Sequence, residues 1–146
     1  MTRTGLAGLF AVALTAVAVP AIQASGQLEP GQSLGTVRIS KGVTANGQPL
    51  AAGTYSVRTA GGTISPAVGQ TTSLTQWVEF VQGGQVKGRE LATVLTAAEV
   101  KDVVKGKGPA AGAAKTEVLK GNDYMRVWIN KGGTHYLIHF AVTPTS

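Results

Sequence analysis

Residues 124–142 leave the chain little conformational choice. Two runs, Tyr124 to Asn130 and Thr134 to Val142, alternate in character on either side of Gly132-Gly133. Side chains of a strand point to opposite faces with period two, and a pair of glycines supplies the positive φ angles of a tight hairpin turn. A two-residue turn at Gly132-Gly133 then sets Met125, Val127 and Ile129 opposite Phe140, Ile138 and Tyr136, which makes one face apolar. The other face pairs Arg126 with His139, Trp128 with Leu137 and Asn130 with His135. Slipping the register by one residue would exchange the two faces, so pattern and turn specify a single pairing.

The same grammar recurs upstream. Val37 and Ile39 alternate with Thr36, Arg38 and Ser40 in a strand beginning near Leu34. Asn46-Gly47 within Val43 to Leu50 predicts a type I′ hairpin. Thr54 to Thr59, Gln76 to Val81, Gln85 to Leu95 and 115–120 read as further strands. The Gly83-Gly84 turn predicts Val81 opposite Val86 and Phe80 opposite Lys87, with a bulge near Gly88 where the alternation slips. Gly61 to Thr75 reads as a long loop and Gly121-Asn122-Asp123 as a turn. Thr96 and Glu99 have the spacing of a capping box, which predicts a short helix over 97–105 with Val100, Val103 and Val104 on one face. About seven or eight short strands without strand–helix alternation predict an all-β fold, an antiparallel β-sandwich or partly open barrel.

The segment 46–58, Asn-Gly-Gln-Pro-Leu-Ala-Ala-Gly-Thr-Tyr-Ser-Val-Arg, resembles the G-x-x-L-x-A-G-T-Y-x-V hairpins of exported bacterial β-sandwich domains. These include prealbumin-like modules and a bacterial domain family of unknown function. The resemblance implies a compartment and a fold, with Leu50 anchoring a turn and Tyr55 and Val57 entering the core. It brings no catalytic residues with it. The chain as a whole resembles small secreted bacterial β-proteins.

Residues 1–24 carry the marks of a secretory signal peptide. Arg3 supplies the positive end, Leu6 to Val19 the uncharged apolar stretch, and Pro20 the break before cleavage after Ala21 or, preferably, Ala24. Residues 25–33 are expected to form a flexible leader and 34–146 a single β domain, with a Gly/Ala/Pro loop at 106–114. The expected location is periplasmic or extracellular, and no second apolar stretch reaches membrane-spanning length in the mature chain. The chain has no cysteine, which excludes disulfides, zinc–thiolate sites and a cysteine nucleophile.

Tyr124, Arg126, Trp128, His135 and His139, with Leu137, share the hairpin face turned away from the apolar one. Aromatic and arginine side chains suit protein contacts, and flat aromatics suit sugar rings, so this face is the candidate surface for an envelope protein or polysaccharide. The competing reading is that a second sheet or the 97–105 helix covers it. His135 and His139 point the same way, but on a strand their Cα atoms stand roughly 13 Å apart, too far for two ligands that each lie about 2 Å from one metal. No metal and no cofactor is expected. The formal charge of +6 is diffuse: residues 99–120 hold five lysines against three acids, not the concentrated stripe that nucleic acid selects. The expected role is a non-enzymatic binding or interaction module. The alternatives are a small hydrolase or lyase using His139 and Arg126 with an acidic neighbour, Glu117 or Asp123, and a structural envelope protein that pairs through its edge strands.

Overall fold

The computed structural model describes residues 28–65, 68 and 75–144. The signal-peptide reading and the first residues of the leader, 25–27, lie outside them. Among the described residues are nine strands and one helix: β1 (Ser33–Ile39), β2 (Val43–Ala45), β3 (Gln48–Leu50), β4 (Gly53–Thr59), β5 (Thr75–Gln82), β6 (Gln85–Leu95), α1 (Ala97–Val103), β7 (Ala114–Val118), β8 (Tyr124–Lys131) and β9 (Thr134–Val142). No helix among these residues is long and apolar enough to cross a membrane.

All strands belong to one antiparallel sheet in the order β1-β4-β5-β6-β9-β8-β7, with the β2-β3 hairpin attached to the far end of β9. The fold class is the all-β one that the alternation implied. Its form is the nearly closed sheet, curled around one core until β1 comes alongside β7. Six antiparallel pairings separate β1 from β7, so these two edges run parallel to each other. No backbone ladder joins them.

The interior is filled. Val78, Phe80, Ala92, Met125, Val127, Ile138 and Phe140 are inaccessible to water, and Phe80 meets Phe140 edge-on at 5.2 Å between ring centres. Such tilted aromatic pairs add about 0.5–1.5 kcal/mol beyond the area they bury. Each further core side chain of this size contributes about 1.5–3 kcal/mol.

The β8–β9 pairing has the register read from the sequence, from Tyr124 opposite Ala141 to Lys131 opposite Thr134. Asn46 and Gly47 take φ of 45° and 76°, as a type I′ turn demands. The β5–β6 hairpin requires a correction. Val81 does face Val86, but the register then shifts and Phe80 faces Gly88, not Lys87. The bulge lets β6 pass beneath the β2–β3 hairpin, where a Cβ on Gly88 would stand 3.2 Å from Leu50 Cδ1.

Two further expectations are corrected. Helix α1 stops at Val103, because Val104 is extended at φ −118°, ψ 121°. Val103 consequently points into water at 63% exposure, while Val100 and Val104 are buried. Its start is the expected one, with Thr96 Oγ1 accepting from the Glu99 amide and Glu99 Oε2 accepting from the Thr96 amide. The described part of the leader, in turn, is tied down. Gly31 N–H donates to Thr59 O, Thr59 N–H to Gln32 O, Gln32 N–H to Thr59 Oγ1, and that hydroxyl to Glu29 O.

Candidate functional site

β7, β8 and β9 present their outer side chains in rows fixed by the ladder. Glu117 on β7 lies opposite Arg126 on β8, which lies opposite His139 on β9. Arg126 donates to Glu117 Oε1 through both Nε (3.2 Å) and Nη2 (2.8 Å). One row along, Lys115 lies opposite Trp128, with its ammonium 5.8 Å from the indole centre and donating to Lys107 O. The Arg126 guanidinium is also 5.8 Å from that ring. These separations are at the outer limit for cation–π attraction.

Helix α1 divides the face in two. Trp128 and Leu137 pack with Leu95, Val100 and Val104 in a small core of their own, outside the barrel. The indole is only 2% exposed. The loop after the helix lies flat upon it, so closely that a Cβ on Gly108 would come 2.4 Å from Trp128 Cζ2. Of the two readings of this face, covering by the helix is the one observed for Trp128 and His135. Tyr124 (55% exposed) and His139 remain open to solvent, and Arg126 lies half-buried between them.

The histidines have different environments. Buried His135 accepts from Trp128 Nε1 at Nδ1, 2.9 Å away. An accepting Nδ1 places the proton of the neutral ring on Nε2. Burial lowers the pKa of His135, since a charged imidazole loses its hydration there. His139 is lowered too, by partial desolvation and then by the positive charge of Arg126. Both rings are therefore neutral near pH 7. No group of three or more His, Cys, Asp or Glu side chains able to hold a metal occurs among the described residues.

A second organised cluster escaped the reading of the sequence. The Arg89 guanidinium stacks 4.3 Å over the Trp77 ring and donates to Gly61 O, while Trp77 Nε1 donates to Thr63 O. The one-residue bulge explains the omission. Without it Arg89 would sit opposite Val78, on the core side. The shifted register sets it opposite Glu79, on the same outer face as Trp77. Beside this cluster, Gln76 Nε2 donates to Ala60 O from a buried position.

Comparison with protein-family models, curated proteins and solved structures returned no match. The class that can be stated is therefore the structural one: an all-β, antiparallel, nearly closed sheet with an outer helix capping part of one face.

Proposed function

We propose that this is an exported, non-enzymatic binding module of the cell envelope, whose partner is an envelope protein or polysaccharide. Export rests on the charge and hydropathy pattern of residues 1–24. The observation that carries the binding reading is the exposed Tyr124 ring on a strand paired on both sides, beside Arg126 and His139. Arg126 is already held by Glu117 through two bonds. A side chain ordered before a partner arrives loses less entropy on binding, where ordering a long side chain costs about 0.5–1.5 kcal/mol.

The test is capture from envelope extract by the tagged protein, run beside Tyr124→Ser/Arg126→Ala. Capture of one partner or polymer by the native chain alone, with far-UV circular dichroism unchanged in the variant, supports this surface. Equal capture by both proteins, or capture by neither at low and high salt, refutes it. Turnover of an envelope substrate that His139→Ala abolishes without loss of fold would establish the enzymatic alternative instead.

A further inference from the structure

The small core above Trp128 is built apart from the barrel. Leu95, Val100, Val104, Trp128 and Leu137 form it, and none of them belongs to the main core. Val100 is the one buried residue of α1, and Val103 faces water. Besides Val100 and Val104, the cover is held by the Gly108 backbone on the indole, by Lys115 Nζ donating to Lys107 O (3.3 Å) and by Asn130 Nδ2 donating to Pro109 O (3.0 Å). A cleft of about 290 Å³ separates helix from loop and reaches His135. Small units held in this way open at a lower free energy than the core they sit on. The sheet beneath does not need the cover: β8 is paired with β7 and β9, and β9 with β6 and β8.

His135 ties this cover to pH. The residue is 6% exposed and accepts from Trp128 Nε1 at Nδ1. A protonated imidazole has two N–H donors and no acceptor, so that bond is lost on charging. No anion compensates. Lys101 on α1 and Lys107 on the loop line the same cleft, and no carboxylate is among its lining residues. Within the sheet His135 lies opposite Leu95 on one side and Asn130 on the other, and Asn130 Oδ1 already accepts from the Gly133 amide. Lys115 and Arg126, on either side of the indole, share Glu117 between them. A buried charge without a partner is relieved by hydration, and the cover is what keeps water from this ring.

We propose that α1 and the loop as far as Gly108 are an acid-released cover: protonation of His135 lifts them from the sheet and uncovers Trp128 beside Arg126, while the barrel stays folded. Burial holds the pKa of His135 below 6.5 in the covered state. The uncovered, hydrated ring takes up its proton first, so covering is favoured above about pH 6.5 and loses ground as the pH falls through the covered-state value. Over that interval one proton shifts the balance toward the open form by up to about tenfold per pH unit. The release stands without the binding reading of Tyr124, Arg126 and His139.

The test uses Trp77→Phe protein, in which Trp128 is the only tryptophan. Between pH 7 and about 4.5, the range in which a histidine of lowered pKa titrates, its emission is expected to shift to the red and its quenching by acrylamide to rise, reversibly. Over the same range the exchange protection of the Val100 and Val104 amides should fall by up to about tenfold per pH unit, while amides of β5, β8 and β9 keep theirs. Imidazole resonances of His135 should titrate with the midpoint of the emission change. In His135→Gln, which keeps an acceptor for the indole and His139 as it is, the emission should not respond to pH. Emission that stays constant until the sheet itself unfolds would overturn the proposal. So would loss of protection in β8 and β9 together with the cover, a midpoint that differs from that of His135, or the same response in His135→Gln. None of these readouts involves capture through Tyr124 and Arg126, so the two readings fail independently.

Discussion

Replacing Gly108 by alanine puts the cap over Trp128 to a quantitative test. The added Cβ would lie 2.4 Å from Trp128 Cζ2, 2.8 Å from Cη2 and 3.0 Å from Cε2. Carbon atoms in good contact are about 3.5–4.0 Å apart, so loop and indole must separate by about 1 Å. The indole cannot yield: it is buried among Leu95, Val100, Val104 and Leu137, and its N–H is bound to His135. The loop has to lift. Overpacking of a rigid site costs about 1–3 kcal/mol. Since urea m-values run at about 1–3 kcal/mol per molar, Gly108→Ala should lower the urea midpoint by about 1 M. Trp77 is the only other tryptophan, so in a Trp77→Phe background the emission reports Trp128 alone. A red shift in the folded state should accompany the loss of stability. A midpoint unchanged within the error of the fit, with emission as blue as in the parent, would refute the packing of this loop on the indole.

Two other perturbations act on the same cap. Thr96→Ala removes both the hydroxyl that accepts from the Glu99 amide and the reciprocal geometry; a loss of about 0.5–2 kcal/mol is expected, with faster amide exchange confined to 97–104, and uniform exchange changes across the sheet would count against it. Acidification tests the burial of the histidines. The folded pKa values of His135 and His139 both lie below the ordinary 6.5. The unfolded chain therefore takes up protons first, and stability present above about pH 6.5 falls as the pH drops from there through the folded values. Protonation also turns His135 Nδ1 into a donor facing the Trp128 N–H. In His139→Gln the decline left is due to His135, and urea midpoints that stay flat between pH 7 and 5 would show that ring to be solvated.

What could be read from the sequence follows the range of the interactions involved. The β8–β9 register is written in two adjacent runs and one turn, all within residues 124–142. The capping box at Thr96 and Glu99 and the turn at Asn46-Gly47 are equally local. The failures occur where one residue or one distant contact decides. The bulge near Gly88 was visible as a break in alternation. Its consequence, that Arg89 moves to the face of Trp77, needed the pairing itself. Val104 has the spacing of a helical core position and reaches the core by extended backbone instead. The tethering of Glu29 to Gln32 depends on Thr59, far along the chain. Above all, alternation assigns Trp128 and Arg126 to one face without saying what lies on that face. The helix that covers Trp128 and leaves Tyr124 open is placed by contacts of Val100 and Val104 across the chain.

The parity of the sheet bears on how this protein meets others. An antiparallel sheet of even strand number can close on itself with antiparallel edges. The path from β1 to β7 contains seven strands, so its two edges meet in parallel, and no ladder forms across the seam. Both strands therefore keep an unpaired edge, the feature a structural protein would use to add a strand from a neighbour. Each edge is also obstructed. β1 shifts register between Ser33 and Gly35, where Gly35 takes φ of 127°, and it carries Arg38. β7 has only five residues, and its Lys115 and Glu117 are engaged with Lys107, Arg126 and each other. Bulges, short length and charge are the means by which edge strands avoid pairing with other chains. On these grounds the outer face of β8 and β9, where the side chains are ordered and partly uncovered, is a better place for a partner than the seam.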